Sequence, residues 1–152
     1  MKNFINISDV SLKDLRKILK DARTRKNKRK KFQTLEPDKG LPLKNKLLFQ
    51  MYEKESLRTR LSFFIAIKQL GGEVINIRAN ELHFGKGGES LSDTAKILST
   101  YGDGFMLRTD NDNKIFQFSK NLSIPFINLL SPSSHPCQVL SDIFTIEEIK
   151  KK

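Results

Sequence analysis

The stretch KLLFQMYEKESLRTRLSFFIAIKQLGGEVINIR, residues 46–78, decides the fold because a strand, a helix and a second strand follow one another in it. Residues 46–52 are an apolar run of strand length. Apolar residues then recur at helical spacing over residues 61–66, and the glycine pair that follows is a natural helix end. Residues 73–78 alternate as a half-buried strand does. The stretch therefore predicts one β-α-β unit.

The flanking sequence extends the same alternation in both directions. A helix is predicted from Leu12 to Ala22, with Ser8 or Ser11 as its N-cap. Further strands are predicted over 104–108 and 124–130, and helices over 91–101 and 111–121. Residues 139–144 open a last predicted helix, which ends in the basic tail at 150–152. Alternating strands and helices predict an α/β domain of three layers, with a four-stranded parallel sheet flanked by helices and right-handed crossovers.

The charge balance favours anionic partners. The chain carries 28 Lys and Arg against 17 Asp and Glu, a formal net charge of +11. Seven of the nine residues in RTRKNKRKK, 23–31, are basic. This run fits either a nucleic-acid contact or the solvated end of the first helix, where cations complement the helix dipole. We favour the helix end, because no aromatic residue is interleaved before Phe32.

Several function classes find no support in the sequence. A single cysteine, Cys137, permits no disulfide within the chain and fits a reducing compartment. Residues 1–15 lack the apolar core of a signal peptide or membrane span, so we expect a cytoplasmic protein without a membrane partner. No cluster has metal-ligand spacing, and no cofactor is expected. The glycine-rich FGKGGES, 84–90, lacks Walker spacing and is interpreted as a flexible lid.

Three polar clusters follow predicted strands. They are Ser56–Arg60 after the first strand, Arg108 at the end of the third, and His135–Gln138 after the fourth. Ligands of parallel α/β sheets bind at the carboxyl ends of the strands. We therefore expect the three clusters to meet on one edge of the sheet.

The first cluster has the features of an anion-binding site. Ser56 stands where an N-cap belongs, which leaves the backbone N–H groups of residues 57–59 directed out of the helix. Arg58 adds a planar fork for phosphate oxygens, and Thr59 adds a hydroxyl. Arg60 is placed either to reach the same anion or to brace the loop. The competing interpretation is an ordinary serine cap followed by solvated arginines.

The third cluster can bind a neutral polar group. His135 precedes a proline suited to the first position of a helix, and Gln138 lies one turn on. A histidine can donate to an oxygen, and a glutamine can both donate to and accept from an amide. The competing interpretation is a loop hydrogen bond for His135 and a partly buried, unreactive thiol for Cys137.

Taken together, three segments resemble the aspartate/ornithine carbamoyltransferase family, and most nearly its ornithine branch. The segments are YEKESLRTRLSF at 52–63, GGESLSDTAKILSTYGDGFMLRT at 87–109 and HPCQVLSD at 135–142. The resemblance implies the amino-terminal domain of that family, which binds carbamoyl phosphate on a central parallel sheet. It further implies a second domain for the amine, homotrimers with sites between subunits, and a place in arginine biosynthesis.

The resemblance also implies roles for individual residues. The residues that bind the phosphate would be Ser56, Leu57, Arg58 and Thr59. Arg108 would bridge the phosphate and the carbamoyl oxygen, and His135 and Gln138 would hold the carbamoyl group. The donors to the carbonyl oxygen, and hence the catalytic groups, would be Arg108, His135 and Thr59. His83, with Lys86 close by, would reach the site of a neighbouring subunit.

Two departures from the family pattern keep alternatives open. Leu57 stands where the family has threonine or glycine, a form that also fits the acetyl- or succinyl-ornithine branch. The family motifs for the amine have no counterpart in residues 1–152, so we expect the second domain to be absent from this chain. The alternatives are a carbamoyltransferase for another acceptor, including aspartate or putrescine, or a non-catalytic binding module.

Overall fold

The computed structural model describes residues 3–78 and 90–150. Its strands are β1 (Asn3–Phe4), β2 (Leu47–Tyr52), β3 (Glu73–Arg78), β4 (Gly104–Arg108) and β5 (Phe126–Leu130). Its α-helices are α1 (Leu12–Lys28), α2 (Leu57–Gln69), α3 (Leu91–Tyr101), α4 (Asp112–Asn121) and α5 (Pro136–Ile149). The predicted alternation of strands and helices is confirmed.

The strands form one parallel sheet in the order β1-β5-β4-β2-β3. The α/β class is therefore confirmed, but the described part of the sheet has five strands rather than the predicted four. The additional strand, β1, is two residues long and pairs with Phe126 and Ile127. Two residues are too few to show any alternation of polar and apolar side chains, so the pattern could not reveal it.

Helices cover both faces of the sheet. On one face, α3 and α4 pack on a core in which the rings of Phe105, Phe118 and Phe126 lie with centroids 5.0 to 6.2 Å apart. On the opposite face, Ile67 of α2 packs against Met106 of β4 and other buried apolar residues. These layers agree with the predicted three-layer arrangement.

The strand order creates a topological switch point between β2 and β4. The chain leaves β2 toward β3 on one side and leaves β4 toward β5 on the other. In open α/β sheets such a point leaves a crevice at the carboxyl ends of the strands. Tyr52 and Arg108, the last residues of β2 and β4, are paired in register there.

Local signals account for most helix ends. Of the two predicted caps of α1, Ser11 is the one used, and its hydroxyl accepts a hydrogen bond from the Asp14 N–H at 3.1 Å. After α2 the chain turns at Gly71, whose φ of +86° suits glycine. A Cβ there would lie 2.8 Å from Leu41 Cδ2 and 3.2 Å from Leu41 Cβ, so Leu41 would have to shift to admit a side chain.

The basic run lies at the end of α1, as predicted. Ion pairs within the described structure engage four of its cations: Arg23 with Glu147 at 2.8 Å, Lys26 with Glu148 at 2.6 Å, Arg25 with Asp21 and Asp38 at 2.7 Å each, and Arg29 with Asp38 at 2.6 Å. The first two pairs join α1 to α5. Much of the run therefore serves contacts within the fold.

Candidate functional site

Ser56 and Arg108 meet at the switch point. Ser56 is the N-cap of α2, as predicted, with extended backbone at φ −158° and ψ 92°. Its hydroxyl does not cap the helix. It accepts a hydrogen bond of 2.8 Å from Nη1 of Arg108, 52 residues along the chain. The first turn of α2 consequently has no side-chain cap, which leaves its N–H groups available to an anion.

The next residues surround this opening to different extents. Leu57 and Arg58 are exposed, and Thr59 is half-buried. Because they form the first turn of α2, their backbone N–H groups lie at its positive end. The predicted anion-binding elements are thus present at one helix start, joined by the guanidinium of Arg108.

His135 adjoins Arg108 from the start of α5. It is the N-cap residue of that helix, and Pro136 takes the first helical position, as predicted. Burial lowers the pKa of His135 below its ordinary 6.5, the positive charge of Arg108 lowers the pKa further, and Asp142 opposes both effects. The imidazole is therefore biased toward its neutral form. The three sequence clusters do converge on one edge of the sheet.

Two buried nitrogens at this convergence lack partners. Within residues 3–78 and 90–150, neither Nε of Arg108 nor Nδ1 of His135 has a hydrogen bond. Buried polar atoms are usually satisfied, so orphaned atoms in a polar crevice are typical of a ligand site. These two nitrogens can therefore form hydrogen bonds at the position where the family resemblance implies the carbonyl oxygen of the ligand.

The other residues of the third cluster are placed less directly. Gln138 is exposed, and its side-chain amide donates to Asp142 Oδ1 at 2.8 Å. Cys137 donates its S–H to the Asn128 carbonyl at 3.7 Å, and burial raises the pKa of its thiol to about 11. The interpretation of Cys137 as an unreactive thiol agrees with that shift.

A buried carboxylate beneath the site escaped the sequence analysis. The Glu53 side chain is only 10% exposed, accepts a short hydrogen bond from the Thr109 hydroxyl and pairs with Lys114 Nζ at 2.5 Å. Its backbone N–H donates to the Arg108 carbonyl at 3.0 Å. No sequence signal links Glu53 to Lys114, because they lie 61 residues apart and meet only through the strand order.

A cleft of about 750 Å³ opens on the other side of the α2 start. It lies between α2 and the end of β3, and Ser56, Leu57, Arg60 and Arg78 are among its lining residues. Arg58, Thr59, Arg108, His135 and Gln138 do not line it. Arg60 lines this cleft together with Ser56, so its role as ligand or brace stays open.

Other predictions concern residues that lie partly or wholly outside the described ranges. His83, Lys86 and all of the predicted lid except Ser90 belong to residues 79–89, which are not described. Ser90 is the N-cap of α3 and accepts from the Asp93 N–H at 3.1 Å. In residues 3–78 and 90–150 no group of three or more His, Cys, Asp or Glu side chains could hold a metal ion. The same residues contain no helix long and apolar enough to cross a membrane.

The geometry supports binding of a dianion beside a polarised carbonyl group. The uncapped N–H groups at the start of α2 suit an anion, and Arg108, which donates to Ser56, carries its charge close to His135. Preorganised donors of this kind stabilise negative charge as it grows on an oxygen. The neutral bias of His135 leaves one ring nitrogen as a donor and the other as an acceptor.

Comparisons with known proteins show the family to which the chain belongs. The family model described as aspartate/ornithine carbamoyltransferase, carbamoyl-P binding domain, matches residues 2–148. The chain is 42% identical over 147 residues to the ornithine carbamoyltransferase of Agrobacterium fabrum, covering 97% of this chain and 46% of that protein.

Solved structures give the same result. An ornithine carbamoyltransferase from Pyrococcus furiosus superposes with a TM-score of 0.89 at 34% identity, over 99% of this chain and 46% of that one. The catalytic subunit of the M. jannaschii aspartate transcarbamoylase gives 0.81 at 32% identity, over 100% of this chain and 48% of its own. The chain thus spans about half the length of the relatives it matches. It belongs to the aspartate/ornithine carbamoyltransferase family, in which it corresponds to the carbamoyl-phosphate-binding domain.

Proposed function

We propose that this chain is the carbamoyl-phosphate-binding half of an ornithine carbamoyltransferase. The whole enzyme would transfer the carbamoyl group from carbamoyl phosphate to the δ-amine of ornithine, giving citrulline and phosphate for arginine biosynthesis. The observation that carries the proposal is the 2.8 Å hydrogen bond between Arg108 and Ser56 at an uncapped helix start, with His135 adjoining.

The phosphate of the substrate would occupy the start of α2. Backbone N–H groups of residues 57–59 donate to its oxygens, and the Ser56 hydroxyl and the Arg58 guanidinium complete the shell. Leu57 contributes only its backbone N–H. Phosphate is also the leaving group, so the contacts that bind it stabilise the charge that it carries away.

The carbamoyl group would lie between Arg108 and His135. When the amine attacks the carbonyl carbon, negative charge grows on the carbonyl oxygen, and Arg108, His135 and Thr59 donate to it. Gln138 would bind the carbamoyl NH₂ group, for which its side chain must leave Asp142. Holding both reactants in line supplies much of the remaining acceleration.

The amine, the assembly and the location complete the proposal. A second domain, outside this sequence, would bind ornithine, and homotrimers would place His83 and Lys86 at neighbouring sites. The location we propose is the cytoplasm, because a single cysteine fits a reducing compartment.

Aspartate is a second candidate acceptor, because the M. jannaschii structure named aspartate transcarbamoylase matches the whole chain. Acetyl- and succinyl-ornithine are further candidate acceptors, because leucine at position 57 also fits that branch of the family. Assays of the full-length enzyme with each amine, putrescine included, distinguish these acceptors. A chain that binds carbamoyl phosphate but whose full-length form turns over none of them would be a non-catalytic binding module.

Calorimetric titration of this chain with carbamoyl phosphate tests the site. Arg58→Gln should weaken binding by about 10-fold or more, since hydrogen bonds to charged groups contribute roughly 1.5–3 kcal/mol. Arg16→Gln, an exposed change of the same charge on α1, is the matched control. Equal affinity of the Arg58→Gln protein and the control would contradict the proposed phosphate contact. The isolated chain should release no citrulline from carbamoyl phosphate and ornithine.

A further inference from the structure

Glu53 is a buried acid placed immediately behind an anion site. Its side chain is 10% exposed, and that of its partner Lys114 is 27% exposed. A carboxylate is costly to bury unless it is paired and hydrogen-bonded. The Thr109 hydroxyl and Lys114 meet both needs, so the network is complete.

This network joins the two loops that form the phosphate site. The Glu53 N–H donates to the Arg108 carbonyl, and the Glu53 carboxylate holds Thr109, the residue after Arg108. Thr109 in turn accepts from the Asn111 N–H at 3.1 Å, at the N-cap of α4. Three residues beyond Glu53 lies Ser56, which accepts from Arg108. Glu53 thus ties the exit of β2 to the exit of β4 at the point where Arg108 must be held.

Lys114 also balances the negative charge of Glu53. A bare carboxylate near the site would repel a dianion, and such repulsion is strong where solvent is partly excluded. The ammonium group at 2.5 Å compensates the carboxylate. The pair can therefore brace the loops without lowering the affinity for an anion.

We propose that Glu53 is a positioning residue for the anion site, that it holds Arg108 against Ser56, and that Lys114 cancels its repulsion of the bound phosphate. This inference rests on the proposed function, because it takes the anion to be carbamoyl phosphate. It adds a Thr109–Glu53–Lys114 brace that touches no substrate.

The test compares charge variants of the full chain by calorimetric titration with carbamoyl phosphate. Lys114→Met should weaken binding at least about 10-fold, because it leaves the buried carboxylate uncompensated. Glu53→Gln combined with Lys114→Met should recover most of that loss, since the amide still accepts from Thr109 without carrying charge. Lys120→Met, an exposed loss of the same charge on α4, is the control. A merely structural lysine would give no recovery in the double variant.

Affinities of Lys114→Met and Lys120→Met within twofold of each other would overturn the proposal, provided that circular dichroism shows both folded. Where Lys114→Met does not fold, the double variant is compared instead with Glu53→Ala combined with Lys114→Met. The alanine form should bind more weakly, because the two proteins carry the same charge and only the glutamine form keeps an acceptor for Thr109. The reverse order would overturn the proposal.

NMR of the free protein separates this inference from the proposed function. If the unmodified chain binds no carbamoyl phosphate, the proposed function fails. In that case the Arg108 Nε–H and Ser56 amide signals test separately whether Glu53 positions Arg108 against Ser56. Shifts of both signals in Glu53→Ala, which removes the acceptor for Thr109, relative to the Lys120→Met control would support it, and unmoved signals would overturn it.

Discussion

His135 shows how one residue can be tuned by its surroundings. Burial and the neighbouring Arg108 lower the pKa of its imidazole below 6.5, and its Nδ1 atom is buried without a partner in the described structure. A neutral imidazole retains an acceptor nitrogen, whereas a protonated one would add a second positive charge beside Arg108. The free site therefore favours the neutral form until an anion arrives.

We expect a pH dependence of stability that belongs to His135. The unfolded chain binds its proton near the ordinary pKa of 6.5, while the folded chain binds it only at lower pH. Between the two values the unfolded state holds more protons, so the free energy of unfolding falls as the pH is lowered below 6.5. Urea denaturation of the unmodified chain and of His135→Asn, compared at each pH, isolates this component. Parallel curves for the two proteins across that window would disprove it.

A bound anion should reverse the shift. The charge of carbamoyl phosphate offsets that of Arg108, so the pKa of His135 should rise on binding. The imidazole proton resonances, followed through a pH titration with and without ligand, report this change. An unchanged midpoint would place the anion away from His135.

At the scale of elements, α2 differs from the other helices that begin at serine. Ser11 and Ser90 each accept a hydrogen bond from the third residue beyond them and so cap α1 and α3. Ser56 occupies the same position on α2 but is engaged by Arg108 instead. The N-cap serine therefore stabilises the helix start in α1 and α3, whereas in α2 it contacts Arg108 of the site.

Serine-to-alanine changes should reveal this difference. Ser11→Ala and Ser90→Ala should each lower the free energy of unfolding by about 1 kcal/mol, the usual cost of losing an N-cap. Ser56→Ala should cost less, because no cap is lost and Arg108 can turn to water, yet it alone should weaken carbamoyl phosphate binding. Urea denaturation and calorimetry of the three variants measure both quantities. Equal losses of stability at all three positions would show that Ser56 does cap α2.

Leu57 tests whether the backbone of α2 suffices for the anion. Its side chain is 66% exposed and lines the neighbouring cleft, so only its N–H is directed by the helix start. We expect Leu57→Thr to leave the affinity for carbamoyl phosphate nearly unchanged. A gain above about 1.5 kcal/mol, the upper end for an ordinary hydrogen bond, would show that a hydroxyl is needed there.

At the scale of the whole molecule, the positive charge is partly used within the fold. Asp38, 12% exposed, joins Arg25 and Arg29 of the basic run. Burial raises the pKa of Asp38, but hydrogen bonds from Arg29 and Arg25 outweigh it, so the net pKa is lowered. The run thereby fastens the end of α1 to the loop before β2.

Asp38→Asn should destabilise the whole domain. It removes the anion between two arginines, and we expect a loss of about 1–3 kcal/mol in the free energy of unfolding. Asp110→Asn is the control, because Asp110 pairs with Lys54 at 3.5 Å in an exposed position. Exposed pairs contribute about 0–1 kcal/mol, so the control should change little. Equal losses in the two variants would contradict the special role of Asp38.

The sequence predicted the sheet where local chemistry decides it. Apolar runs bounded by polar residues or glycine matched β2 to within one residue and matched the bounds of β3 and β4. β5 begins at Phe126 rather than at Ile124, because Pro125 between them has no N–H for the ladder. The pairing of β1 and the Glu53–Lys114 contact could not be predicted, because they depend on strand order and register between residues far apart in the chain.

The pairing of β1 with β5 has a consequence for the order in which the protein matures. Asn3 accepts from the Phe126 N–H at 3.2 Å across a separation of 123 residues. A ribosome makes the chain from its amino end, so β1 must wait for its partner until more than 120 further residues have been made. His135 follows β5 closely and emerges soon after it. A nascent chain that has not emerged past β5 therefore leaves β1 unpaired and has no finished site.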